Sequence, residues 1–276
     1  MRAALLQSCS GIDPQANADR LVRAIEEARA GGADMLFTPE MVGCLDRNRE
    51  RAGSSLTDEA HDVVLAAVRD AAARCALWVH IGSLGLKGER ADGRWTNRSF
   101  IIDASGAVRA RYDKIHLFDV DLPGGISWRE SSVYGPGDEV VTVDTPWARI
   151  GLSVCYDLRF ADLYRRLSDA GAGLLLVPAA FTVPTGQAHW ETLLRARAIE
   201  SACFVIAPAQ VGHHEDGRDT YGHSLVIDPW GEILLDMGDE PGLGFADIDF
   251  ARIDAVRARI PVLDHRRILR ESVTSS

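Results

Sequence analysis

Short, almost wholly apolar runs alternate with amphipathic stretches along this chain. RAALLQ (2–7), DMLFTPE (34–40), LWVHIGSL (77–84), IGLSV (150–154), GLLLVPAA (173–180) and CFVIAPAQ (203–210) are short for helices and too continuous for half-exposed strands. They predict strands buried on both faces. Residues 17–30 put Leu21, Ile25 and Ala28 on one helical face and stop at Gly31-Gly32, and 57–74, 160–169 and 187–201 predict further helices. RSFIID (98–103) with VRARYDK (108–114) predicts a hairpin around Ser105-Gly106, and HSLVIDP with EILLDMG another around Pro229-Trp230-Gly231. A strand at 140–145, GFADID (244–249) and a last helix complete the pattern. The order, β-α-β-α-β-β then β-β-α-β-α-β-β-β, predicts an α/β protein of two similar halves. Each is a mixed sheet with two helices on one side, the sheets packed face to face between helix layers.

Composition narrows the function. A chain of 276 residues can bury one full core, and we expect a single domain over 1–276, with 262–276 an interface segment or a loosely held tail. Forty acidic against 30 basic residues leave a net charge of −10, which argues against nucleic acid and against an anionic membrane surface as partners. The apolar part of MRAALLQSCSG is too short for a signal peptide, and no run approaches the roughly 18 apolar residues of a membrane span. Five widely spaced cysteines without a C-x-x-C pair predict a reducing, cytoplasmic setting. Neither G-x-G-x-x-G nor G-x-x-x-x-G-K-[ST] occurs, so no nucleotide cofactor is expected.

Candidate chemistry gathers at strand ends, where α/β folds hold their sites. Cys155 closes one apolar run just before a polar, arginine-bearing helix start. Nearby N–H donors and a positive dipole would favour its thiolate, although a free cysteine is as often a small buried hydrophobe. Glu40 ends the run at 34–40, and Lys114 ends the second strand of the first hairpin. Together they form a working set: a carboxylate to take the thiol proton, an ammonium to hold thiolate and oxyanion, and the backbone N–H after the cysteine as a second donor. The long Gly- and Pro-containing stretch 115–139, which carries Glu130, reads as a functional loop. A Cys155–His116 dyad is the weaker alternative. The run His213-His214-Glu215-Asp216 reads as a solvated loop, since adjacent residues rarely converge on one metal ion; no metal is expected. Arg195 and Arg197 read as salt-bridge or interface residues.

FTPE (37–40), RYDKIHLFDVD (111–121), RESSVYGPGD (129–138) and IGLSVCYDLRFADL (150–163) resemble the signature blocks of the nitrilase, or carbon–nitrogen hydrolase, superfamily. GQAHWETLLRARAIESACFVIAPAQVG (186–212), YGHSLVIDPWGEIL (221–234) and IPVLDHRR (260–267) resemble its deaminated-glutathione amidase branch, with omega-amidases next. The likeness runs from about residue 2 to 267. It implies a four-layer α-β-β-α sandwich, Glu40 as general base, Lys114 as charge-stabilising lysine and Cys155 as nucleophile. It also implies that Glu130 positions lysine and substrate. Ala161 and Asp162 stand where the family often has proline and glutamate, and Ala148 where it often has glycine. None of these touches the three central groups.

The resemblance further implies homodimers, or higher homo-oligomers, joined through the helices at 160–169 and 187–201. There Trp190, Leu193, Leu194 and Ala198 form a stripe that fits an interface or plain core packing equally well. For the substrate we single out Arg159, Phe181 and Thr185, because the corresponding pocket of omega-amidase-like relatives holds a keto-acid carboxylate and an arginine fork suits one. Arg159 is equally readable as an ion-pair partner of Asp157 or Asp162. The expected activity is a cofactor-independent amidase acting on a small linear amide, with Lys114 and the Tyr156 N–H as oxyanion donors. Carbamoyl or nitrile hydrolysis on the same groups, or an inactive binding module, are the alternatives.

Overall fold

The computed structural model describes residues 1–88, 90–122 and 126–268. In chain order the strands are β1 (Arg2–Gln7), β2 (Met35–Phe37), β3 (Trp78–Leu86), β4 (Thr96–Ile102), β5 (Val108–Asp113), β6 (Asp119–Leu122), β7 (Ile126–Arg129), β8 (Thr142–Asp144), β9 (Arg149–Leu152), β10 (Leu174–Leu176), β11 (Phe204–Ala207), β12 (Val211–His213), β13 (Asp219–Tyr221), β14 (Leu225–Ile227), β15 (Ile233–Asp236) and β16 (Gly242–Asp247). The helices are α1 (Pro14–Ala30), α2 (Arg49–Ser55), α3 (Val63–Cys75), α4 (Ala161–Asp169), α5 (Val183–Ser201) and α6 (Ala251–Arg259).

The continuous apolar runs do become central strands. One six-stranded sheet has the order β16-β1-β2-β3-β4-β5 and the other β15-β14-β11-β10-β9-β8. Alternate side chains divide the work. Ala3, Leu5, Met35, Phe37 and Tyr112 of the first sheet meet Ile150, Leu152, Leu174 and Leu176 of the second in one buried core. The opposite face of the first sheet, with Ala4, Leu36, Val79 and Phe100, packs on Leu21 and Ile25 of α1 and on Leu65 and Val68 of α3. Leu163 and Leu167 of α4 and Trp190 and Leu194 of α5 cover the second. The result is the expected four-layer α-β-β-α sandwich.

Several local expectations change. α1 begins at Pro14, three residues before the periodic stretch, because the Asp13 side chain caps it by accepting from the N–H groups of Gln15 and Ala16. The helix expected over 57–74 is a short 3₁₀ turn at Glu59–His61 followed by α3, and α2 precedes it as a helix the pattern did not predict; Asp62 caps α3 through Leu65 N. α5 starts at Val183 with proline in its first turn. The stretch 115–139 is not all loop but holds the β6–β7 hairpin. The last strand, β16, leaves the second half and pairs antiparallel with β1, so the two halves interlock rather than stand side by side.

Three of the four stripe residues on α5 are core rather than interface, and Leu193 is half-buried against them. Trp190, Leu194 and Ala198 are fully buried within the single chain, and the indole of Trp190 donates to His223 O at 2.7 Å. From the C-terminal segment, Arg266 pairs with Asp169 and donates to Ser168 Oγ at 2.9 Å; residues 269–276 lie outside the described residues.

One close approach positions the site. A Cβ on Gly82 of β3 would lie 2.1 Å from Thr38 O and 2.4 Å from Pro39 O, so only glycine lets the backbone leading to Glu40 lie against β3. The contact is sealed by Gly82 N to Thr38 Oγ1 at 3.0 Å and Met41 N to Ser83 Oγ at 2.9 Å. Gly82→Ala should therefore cost about 3 kcal/mol, the upper range for overpacking, and lower the thermal midpoint by roughly 6–12 °C. A midpoint within about 1 °C of the parent would show that this approach does not constrain the fold.

Candidate active site

Strand direction brings the candidate residues to one end of the sandwich. β2 and β5 both run toward the edge where β4 begins, since β2 and β3 pair in parallel and β3, β4 and β5 pair antiparallel in turn. Glu40 follows β2, Lys114 follows β5, and Asn97 lies at the start of β4. From the second sheet come Cys155, after β9, and Ala180, after β10.

Lys114 is buried between two carboxylates. Its Nζ donates to Glu40 Oε1 at 2.9 Å and to Glu130 at 2.9 and 3.1 Å. Asn97 Nδ2 bridges the same two acids, at 3.1 Å to Glu40 and 3.3 Å to Glu130. Backbone N–H groups fix the remaining oxygens: Ala180 N donates to Glu40 Oε2 at 3.0 Å and Phe118 N to Glu130 Oε2 at 2.6 Å. Burial works to neutralise Glu40, but Lys114, the Cys155 thiol and Asn97 outweigh it and hold the pKa below the usual carboxylate range. For Lys114, burial again opposes charge, and the attraction of Glu130 and Glu40 raises the pKa well above the ordinary ammonium value. The acid is therefore ionised and the base charged at neutral pH.

Cys155 departs from expectation. It opens a single 3₁₀ turn, Cys155–Arg159, too short to carry much dipole, and its own N–H is taken by Pro178 O at 2.9 Å. Burial and the adjacent negative charge of Glu40 push the thiol pKa well above 9.0, against the opposing pull of Lys114. The resting group is a neutral thiol hydrogen-bonded to the Glu40 carboxylate, not a preformed thiolate. The residue sits at φ 52°, a left-handed conformation costing about 1 kcal/mol for a side-chain-bearing residue.

Buried Asp157 holds that turn in place. Its carboxylate accepts from Val154 N at 2.9 Å, Tyr112 OH at 2.7 Å, and His116 N and Nδ1 at 2.9 and 2.7 Å. Arg197 adds two bonds to Leu158 O at 3.0 and 2.8 Å. His116, also stacked on Phe160 with ring centroids 3.6 Å apart, serves Asp157 rather than Cys155, which removes the dyad alternative.

Glu40, Lys114, Glu130 and Cys155 line a cavity of about 660 Å³, together with Asn97, Tyr156, Phe181 and Thr185. Phe181 packs on Trp190 at 4.8 Å, and Thr185 Oγ1 hydrogen-bonds Thr182 Oγ1 at 2.8 Å. Arg159 is not a lining residue. Its guanidinium lies over the rings of Phe181 and Tyr156 at 5.5 and 5.7 Å and contacts His189 Nδ1 at 3.2 Å. The expected pairing with Asp157 or Asp162 fails, because Tyr112, His116 and Val154 occupy the first and Arg166 takes the second at 2.9 Å.

The 213–216 run is solvated only in part: His213 and Glu215 are exposed. His214 and Asp216 are buried, bound to Thr220 Oγ1 at 2.7 Å and to the Arg218 guanidinium at 2.6 Å. Among the described residues no group of three or more His, Cys, Asp or Glu is placed to hold a metal ion, and no helix is long and apolar enough to cross a membrane. Asn97 was missed by sequence reasoning. Its signal was a polar residue, between Thr96 and Arg98, where β4 faces the same strand end as Lys114.

Comparison with known proteins matches residues 2–258 to the profile of the carbon-nitrogen hydrolase family. The chain is 40% identical over 268 residues to the nitrilase and fragile histidine triad fusion protein of Caenorhabditis elegans, covering 96% of this chain and 60% of that one. The crystal structure of that protein superposes with a TM-score of 0.89 over 96% of this chain and 65% of the other. A deaminated glutathione amidase of Yersinia enterocolitica is 38% identical over 267 residues, 96% of this chain and 93% of its own. Saccharomyces cerevisiae Nit3, of the nitrilase superfamily, superposes with a TM-score of 0.86 at 25% identity, covering 97% of each chain.

The raised thiol pKa gives a direct test. Thiolate absorbance in the ultraviolet, taken as the difference between the protein and Cys155→Ala, should stay flat as pH rises through neutrality to the ordinary thiol value of 9.0. A transition assignable to Cys155 at or below neutral pH would contradict the neutral-thiol geometry.

Proposed function

Because this chain belongs to the carbon–nitrogen hydrolase family, we propose that it is a cofactor-independent amidase that cleaves a small linear amide through a thioester on Cys155. The observation that carries the reading is the buried Glu40–Lys114–Cys155 cluster lining a substrate-sized cavity. In the first half of the cycle the Cys155 proton passes to Glu40 as sulfur bonds to the amide carbon. Glu40 then gives that proton to the departing nitrogen, and the C–N bond breaks. In the second half Glu40 takes a proton from water, the resulting hydroxide adds to the thioester, and the C–S bond breaks as sulfur recovers the proton. An amide and one water become an acid and an amine.

Lys114 carries three N–H donors. At rest one points to Glu40 and two to Glu130; the longer Glu130 contact, at 3.1 Å, is the one that yields to the oxyanion, with the Tyr156 N–H as its partner. Glu130 fixes the lysine, and Phe181 and Thr185 shape the acyl pocket. Arg159, which has no carboxylate partner among the described residues, stands behind Phe181 and Tyr156 rather than in the lining, so it acts on a 2-oxo acid carboxylate through its field and not by direct contact. The substrate class follows the relatives named deaminated glutathione amidase, so we propose deaminated glutathione or a related 2-oxo acid amide. A homodimer and a cytoplasmic, reducing setting complete the proposal, with five unpaired cysteines favouring the latter and half-exposed Ile199 on α5 available to a partner.

The test is kcat/KM for deaminated glutathione, 2-oxoglutaramate, simple nitriles and N-carbamoyl amino acids. The first is expected to be fastest, the second next and the last two far slower. Preference for a nitrile or carbamoyl compound would overturn the substrate class, and hydrolysis of none would overturn the amidase reading.

A further inference from the structure

The mouth of the cavity carries four arginines, Arg47, Arg49, Arg129 and Arg218, on a protein whose net charge is −10. Two are neutralised by the protein itself: Arg218 by buried Asp216 at 2.6 Å and Arg129 by Asp121 at 2.9 Å. The other two are not. Arg49 donates only to the uncharged Ser132 O at 3.2 Å, and the Arg47 guanidinium has no ion pair or hydrogen bond among the described residues. Carboxylates that share the lining are committed elsewhere. Asp46 takes Arg51 at 2.6 Å and Glu40 and Glu130 hold Lys114, while Asp219 turns to His213 at 2.8 Å rather than to either arginine.

The backbone beneath these arginines is anchored although their side chains are free. Arg47 N donates to Asp216 Oδ2 at 2.8 Å, tying the 46–49 segment to the β12–β13 turn. A Cβ on Gly217 would lie 3.2 Å from Arg47 Nη2, which places the guanidinium over that turn. Uncompensated positive charge thus stands at the exposed mouth while Cys155 lies buried within. A substrate with its scissile carbonyl on Cys155 reaches these arginines only with its far end.

We infer that Arg47 and Arg49 form a carboxylate-recognition subsite that selects amides whose leaving amine itself ends in a carboxylate. The inference rests on the amidase reading above and adds specificity on the leaving-group side. Both side chains are exposed, so each contributes on the scale of a solvent-screened pair, and together they should favour carboxylate over carboxamide by about 2- to 30-fold.

The experiment compares deaminated glutathione with the same molecule amidated at its terminal glycine. Two readouts are taken: kcat/KM with active protein, and Kd by calorimetry in the Cys155→Ala background. Each is repeated for Arg47→Ala/Arg49→Ala and Arg47→Lys/Arg49→Lys. Preference for the carboxylate is expected in the parent, to fall toward parity in the alanine pair, to return in part in the lysine pair, and to shrink with added salt. The alanine pair removes no bond to the fold except Arg49 to Ser132 O, so its thermal midpoint should match the parent. No preference in the parent, or one that survives the alanine pair, overturns the subsite and leaves the amidase reading standing. Preference in Kd without turnover of either compound overturns the amidase reading and leaves the subsite standing. Absence of binding by both overturns both.

Discussion

The architecture depends on one buried ammonium. Lys114 lies between Glu40 and Glu130, and none of the three charges would be tolerable alone at that depth, because an unpaired buried charge is driven to neutralise. Two carboxylates and one ammonium leave a net charge of −1. Burial, and then the −2 that a thiolate in contact would create, keep the Cys155 proton on sulfur at rest. Moving that proton to Glu40 leaves the total unchanged, so attack needs no new charge in the buried cluster. In the proposed cycle the charge instead relocates from carboxylate to sulfur and on to the substrate oxygen, beside the Lys114 ammonium.

Both sheets are needed to build this arrangement. The first supplies acid, lysine and Asn97 from the aligned ends of three strands. The second supplies the sulfur and, through Ala180 N, a bond to the Glu40 carboxylate. Gly82 lets the segment before Glu40 lie on β3, while Asp157 and Arg197 hold the strained turn at Cys155 from either side. The Gln210 side chain, donating to Glu40 O at 2.9 Å, links the segment after β11 to the same loop. Mutations at these supporting positions act on geometry before they act on chemistry.

Much of this was legible because strand ends are marked in sequence. Glu40, Lys114 and Cys155 each close an apolar or alternating run, and local pattern suffices to find them. What pattern could not supply was company from distant segments. Asn97 lies just outside the strand expected at 98–103, and only the longer β4, with β5 paired beside it, brings it to the site. Trp190, Leu194 and Ala198 looked equally suited to an interface, and only the second sheet beneath α5 assigns them to the core. The charge state of Cys155 was misjudged from its neighbours in sequence, since the decisive neighbour, Glu40, is contributed by the other sheet. His214 and Asp216 appeared solvated because the β12–β13 pairing that buries them has no strong periodicity. β16 likewise crosses to the first sheet through a pairing that local sequence does not encode.

The central claim is that this cluster works by making and breaking a bond to one sulfur. Mass spectrometry of protein quenched during turnover tests it most directly. The account predicts an acyl adduct of the substrate's acid portion on the peptide containing Cys155, absent from Cys155→Ala. An adduct on Cys9, Cys44, Cys75 or Cys203 in its place, or undiminished turnover by Cys155→Ala, would contradict it.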